Sequence, residues 1–154
     1  MQAENFVVDD YLQRINYSGA INPGVETLTN VMRAQLHSIP FENLDVQAGK
    51  IVSMVPEEIV KKIVYSTRGV YCYEVNGLFT MALGALGFSF DIIGARPMFY
   101  PQRRPKTHVV IVVNIGNERW LCDTGFGSFG LRAPIGLHQL GQVIQQDNET
   151  FMLD

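Results

Sequence analysis

Apolar positions in the first half of the chain recur with a helical period. Asp9 to Asn16 reads as a short helix that stops near Gly19. Val25, Leu28, Val31, Met32 and Leu36 follow at helical spacing and predict a second helix with one buried stripe. A third opens at Val55-Pro56-Glu57-Glu58, with proline in the first turn and two acids at the positive end of the helix dipole. Its apolar positions are Ile59, Val60, Ile63 and Val64. A fourth follows Cys72, with Val75, Leu78, Phe79, Ala82, Leu83 and Leu86 on one face and Gly87 as its stop.

After Gly87 the period changes. Phe88 to Ala95, Thr107 to Val113 and Glu118 to Asp123 are short runs rich in valine, isoleucine and aromatics, bounded by Gly, Pro and Asn. Thr150 to Leu153 offers one more strand. Helices first and strands afterwards predict an α+β fold, not an alternating β-α-β one. Residues 1–87 form the helical unit, with a cysteine at a helix start. Residues 88–154 form the antiparallel unit. No internal repeat or low-complexity segment interrupts them.

Composition narrows the function without naming it. A chain of 154 residues suffices for one compact domain or two small ones and buries about 70% of its unfolded surface. A hydrophobic fraction of 47%, a charged fraction of 18% and a net charge of −3 are those of a globular chain without a basic field for nucleic acid. MQAENFVVDDY carries no export signal, and Val109 to Val113 is far too short to span a bilayer. Two cysteines at unrelated positions and histidines scattered at 37, 108 and 138 make neither a disulfide framework nor a metal centre. The expectation is a cytoplasmic protein with no metal, no membrane contact and no nucleic-acid partner.

Chemistry concentrates around RGVYCYEVNGLF, residues 68–79. Arg68-Gly69 allows a tight turn, and the helix that follows aims free N–H groups and a partial positive charge at Cys72, which favours a thiolate. The plainer reading is a buried structural cysteine. Further along, THVVIVV and ERWLCD flank the turn NIGN. If Asn114 to Asn117 form the loop, His108 sits directly across from Asp123, with Cβ atoms about 5 Å apart. A two-residue Gly116-Asn117 turn keeps both on one face, diagonal to each other, whereas an odd-length loop would separate them. A carboxylate that holds one imidazole nitrogen leaves the other free to take a thiol proton. Cys72, His108 and Asp123 thus make a candidate nucleophile, base and orienter, the arrangement of a cysteine-proteinase-like triad.

Other residues take supporting readings. Strand alternation turns Cys122 away from Asp123, into packing. His37 faces solvent or caps a helix end, and His138 lies in a polar loop. Glu42, in apolar company, finds its best partner in Arg68, a pair that would pin the turn presenting the thiol. Arg103-Arg104-Pro105-Lys106 reads either as a solvated loop or as a phosphate contact. Phe126, between Gly125 and Gly127, walls a pocket where substrate approaches the backbone.

IPFENLD at 39–45, RGVYCYEVNGLF around Cys72, the His108 strand and CDTGFG at 122–127 together closely resemble the arylamine N-acetyltransferase family. The likeness runs from Tyr11-Leu12-Gln13-Arg14-Ile15 to the last residues. Val70 stands where the family usually has a second glycine, and Cys122-Asp123-Thr124 replaces a more usual Val-Asp-Val. Neither touches the candidate triad, and Val70 tightens the turn before Cys72. The resemblance implies a helical first domain, a β-barrel left incomplete here, and a third domain absent from this shorter chain. It implies Cys72, His108 and Asp123 as catalytic, and Phe126, Gly127 and Thr107 as substrate-binding. Arg68, Glu42 and Asn43 are implied as structural support. The implied reaction is ping-pong: acetyl-CoA acylates Cys72, an arylamine or hydrazine takes the acetyl group, and the Cys72 N–H serves the oxyanion. Open barrel edges imply a homodimer or a complementing C-terminal segment. Three readings stand beside it: an amide synthase using a carrier-bound acyl group, an inactive fragment with a structural role, and a cysteine protease, which the motifs argue against.

Overall fold

The structure, a computed structural model, describes residues 1–99 and 101–154. Five α-helices occupy the first half: α1 (Val8–Arg14), α2 (Val25–Ser38), α3 (Leu44–Gln47), α4 (Pro56–Val60) and α5 (Cys72–Ala85). A wider π-helical turn, Lys61–Tyr65, continues α4. The strands β1 (Ser89–Ala95), β2 (His108–Ile115), β3 (Glu118–Cys122) and β4 (Ile135–Gly136) form an antiparallel sheet in that order, and β5 (Val143–Gln146) pairs with β6 (Glu149–Met152). The fold is α+β. The pattern of the sequence did not predict α3, β4 or β5. The first has no apolar stripe, and the other two are too short for a period to register.

Helices and sheet share one apolar cluster. Tyr11, Leu28, Met32, Phe79 and Leu83 pack with Ile111 and Val113 of β2 and Cys122 of β3, which places Cys122 in packing. At the centre lies α5, buried from Glu74 to Leu83. A helix surrounded on all sides has no single buried face, so Glu74, Asn76 and Thr80 are buried with its apolar residues. Arg14 ties the other helices together, donating from Nε to the Ile63 carbonyl at 2.9 Å and from Nη1 to the Ser38 carbonyl at 2.8 Å. In α2 the stripe is rotated from the expected one. Gln35 is fully buried and Leu36 only half-buried.

The β2–β3 hairpin pairs Ile111 with Cys122 and Ile115 with Glu118. Its turn is therefore Gly116-Asn117, and Asn114 and Ile115 are paired strand residues instead of loop. Gly116 supplies the positive φ, 59°, that a two-residue hairpin turn needs at its first position. His108 and Asp123 accordingly lie diagonal to each other and not directly opposed, on the same face. The outer edge of β1 has no strand beside it among the described residues, and it leaves Ile92 51% and Ile93 39% exposed.

Candidate active site

The turn before α5 is built by close approach. Val70 bridges in parallel to Phe41: its N–H donates to the Pro40 carbonyl at 3.1 Å, and its carbonyl accepts the Glu42 N–H at 2.9 Å. A Cβ on Gly69 would meet Pro40 O and Glu42 Cγ, each at 2.6 Å, so glycine is needed for space. The left-handed residue of the turn is Thr67, at φ 50°. Val70, fully buried, anchors the segment to the core instead of tightening a turn. Arg68 Nη2 lies 2.8 Å from Glu42 Oε1 and 3.4 Å from Asp45 Oδ1, the pairing anticipated for Glu42. Asn43 stands at the N-cap of α3 without a side-chain cap bond; its carbonyl accepts the Gln47 N–H at 2.9 Å.

A second ion network holds the first turn of α5. Lys62 Nζ sits 2.8 Å from both Asp45 Oδ2 and Glu74 Oε1, and the other Glu74 oxygen accepts the Tyr71 N–H at 3.3 Å. The hydrogen bond from Lys62 holds the Asp45 carboxyl down at about 2. Cys72 opens the helix one residue later.

At that helix start Cys72, His108 and Asp123 converge, exposed by only 6%, 5% and 6%. His108 Nε2 lies 2.6 Å from Asp123 Oδ2. A carboxylate can only accept there, so Nε2 carries the proton and Nδ1 is left for the thiol. The Cys72 side chain is close enough to favour the charged form of the His108 ring. Burial works against a charged imidazole, but the bond to Asp123 and the neighbouring Cys72 side chain outweigh it and lift the His108 pKa from 6.5 to about 9. Burial, together with the adjacent Cys72 side chain, pushes the Tyr71 hydroxyl up to about 12. Burial drives the second thiol, Cys122, far up from its ordinary value.

Asp123 is fixed from the other side as well. Its Oδ1 accepts the Gly125 N–H at 2.8 Å and Asn76 Nδ2 at 3.0 Å. Asn76 lies one helical turn after Cys72, on the same face of α5. A Cβ on Gly125 would meet Cys72 Cα and Cys72 O at 2.9 Å each. Only glycine lets the 123–125 turn dock on the helix start.

Of the three residues expected to meet substrate, two line one cavity. Phe126 and Gly127, with Leu36, Ile39, Phe41 and Asp123 among others, enclose about 610 Å³. Phe126 packs edge-on to His108 with ring centroids 5.1 Å apart. Thr107 stands elsewhere, its side chain exposed and its carbonyl 4.0 Å from Cys72 Sγ. His37 lines the rim of the cavity, and His138 packs edge-on to Trp120. Arg103, Arg104 and Lys106 lie in the exposed segment between β1 and β2.

A family model described as N-acetyltransferase matches residues 24–154. The arylamine N-acetyltransferase of Escherichia coli (strain K12) is 36% identical over 85% of this chain and 47% of its own. The chain belongs to the arylamine N-acetyltransferase family. Among solved structures, the enzyme from Salmonella typhimurium superimposes with a TM-score of 0.86 at 32% identity, over 95% of this chain and 53% of that one. The Mycobacterium marinum enzyme in complex with CoA gives 0.88 at 35% identity, over 96% and 56%. This chain spans about half the length of the curated relatives it matches.

The sequence reading missed the residues that hold this family member's three candidates in place: Asn76, Thr124, Gln35, Lys62 and Glu74. A signal existed for Asn76 and Glu74, polar residues in the first turns of a helix otherwise apolar. The Cys-to-Asn spacing of four puts both on one face. Nothing local marks Gln35 or Thr124. Thr124, part of the Cys-Asp-Thr departure, reaches the candidate triad only at one remove: its N–H and hydroxyl both meet Asn76 Oδ1 at 2.9 Å, and Asn76 in turn holds Asp123.

Proposed function

We propose that this chain carries the acyl-transfer site of an arylamine N-acetyltransferase and works through a Cys72 thioester. What supports the reading above all is the orientation of His108, whose Nε2 is held by Asp123 at 2.6 Å beside the buried Cys72 thiol. His108 Nδ1 takes the Cys72 proton, and the sulfur attacks the acetyl-CoA carbonyl carbon. The C–S bond to CoA breaks, and the CoA thiolate leaves with the proton from His108. One thioester replaces another, so this half is near balance. The nitrogen of an arylamine or hydrazine then attacks the acyl-enzyme, His108 takes its proton, and collapse gives the amide and restores the thiol. The Cys72 N–H, at the first position of α5, has no intrahelical acceptor and is our candidate donor to the oxyanion. Phe126 and Gly127 serve as the wall for the acceptor ring. The exposed edge of β1 is the surface we assign to association, with a second copy or a C-terminal segment.

Intact mass after brief exposure to acetyl-CoA, followed by an aniline or hydrazide chase, tests the proposal. One acetyl adduct is expected, absent in Cys72→Ala and discharged by the amine. A folded sample that takes no adduct overturns it. A thiol charged by a carrier-bound thioester but not by acetyl-CoA would redirect it to amide synthesis.

A further inference from the structure

The polar contacts behind Asp123 do not end at Asn76. The Thr124 hydroxyl lies 2.9 Å from Asn76 Oδ1 and 3.0 Å from Gln35 Nε2. The Tyr11 hydroxyl lies 2.7 Å from Gln35 Oε1. All four side chains are buried, and their surroundings decide which atom donates. The carbonyls of Val75 and Val109 can only accept, and they stand 3.1 Å from Gln35 Nε2 and 2.8 Å from Asn76 Nδ2. Both amides are thereby fixed. Tyr11 donates to Gln35, Gln35 to Thr124, Thr124 to Asn76 and Asn76 to Asp123. Every bond points towards the carboxylate.

We propose that Tyr11, Gln35 and Thr124 are positioning residues for this site, a one-way chain of donors from α1 and α2 that locks the Asn76 amide and, through it, Asp123 against His108. The inference rests on the acyl-transfer reading of Cys72. Aligned donors polarise one another, so each strengthens the next. An Asn76 amide turned over would set its oxygen against the Asp123 carboxylate and leave its nitrogen facing the Thr124 N–H. Thr124 is the joint of the chain, because its hydroxyl accepts from one amide while donating to the other. Valine there, the residue expected from the family pattern, would leave one Gln35 hydrogen without an acceptor in the core. The Thr124 N–H would still hold Asn76 Oδ1, so the amide would loosen without being released. This chain has thus tied its catalytic carboxylate to the packing of its first two helices.

The test is the rate of iodoacetamide alkylation at Cys72 across pH, read by peptide mass on the full chain, with the thermal midpoint measured in parallel. Thr124→Val and Gln35→Met are each expected to slow alkylation near neutral pH by about three- to tenfold, the worth of one buried hydrogen bond. The double variant should be little slower than the slower single, since both cut the same chain. Thr124→Ser should recover the parent rate. Should Gln35→Met not fold, Tyr11→Phe, which removes a single oxygen, reads the far end. A role in stability alone would lower the midpoint and leave the pH profile where it was. If the parent alkylates readily and the variants match it at every pH, the chain of donors is overturned and the acyl-transfer reading stands. If the parent thiol reacts no faster than free cysteine, both fall together.

Discussion

Asp123 accepts hydrogen bonds on both oxygens, from Asn76 and Gly125 on one and from His108 on the other. An asparagine in its place can still accept with its oxygen, but its amide nitrogen would then face His108 Nε2. That nitrogen must become the acceptor, the imidazole proton moves to Nδ1, and the Cys72 thiol loses its base. Asp123→Asn is therefore expected to lower acetyl transfer by about two to four orders of magnitude, the worth of a general base, with the far-UV circular dichroism unchanged. A variant that transfers acetyl at the parent rate would remove Asp123 from the mechanism. At this scale the sequence pointed to the three groups proposed to react, because thiol, imidazole and carboxylate are rare together and two of them sit in recognisable settings. It was silent on Gln35 and Thr124, whose chemistry is ordinary until burial removes water as their partner.

Elements act here through the junctions between them. The start of α5 is clamped by Lys62, from the π-helical turn, to Glu74, whose side chain is 3% exposed. Lys62→Met leaves that carboxylate buried without its cation and is expected to cost about 3 kcal/mol or more, measured as a lower urea midpoint at unchanged slope. The post-β3 turn docks on the same helix start. Gly125→Ala drives a methyl into Cys72 Cα and O at 2.9 Å and should displace Asp123, so that acetyl transfer falls further than stability does. The long helices and strands were legible because their apolar period is set by the backbone itself. The hairpin register was legible only to within its parity. Loop length decides between opposed and diagonal pairing, and the Gly116 conformation settles it. The tight 67–70 segment was misread for a related reason. Gly69 answers to Pro40 and Glu42, far away in sequence, and not to its own dihedrals.

On the scale of the whole molecule, His108 links the site to stability. Its pKa is raised from 6.5 to about 9 in the folded state, so the folded state binds this proton more tightly than the unfolded chain does. Its contribution to stability is fully present below about 6.5 and is lost as pH rises through about 9. Urea midpoints between pH 6 and 10 should fall over that window and flatten in Asp123→Asn. The β1 edge should report separately. If it mediates association, Ile92→Lys lowers the sedimentation coefficient at high concentration without changing the fold, and an unchanged coefficient rules the edge out. The sequence alone determined the α+β order, the helix that starts at Cys72 and the shared face of His108 and Asp123, because backbone periodicity and residue chemistry are local properties. Only the tertiary structure decided that the thiol and the imidazole meet, that Gly69 and Gly125 are demanded by contacts, and that Tyr11, Gln35, Thr124 and Asn76 form one chain. Those facts depend on which distant segments exclude water from one another, and no local pattern in the chain records that.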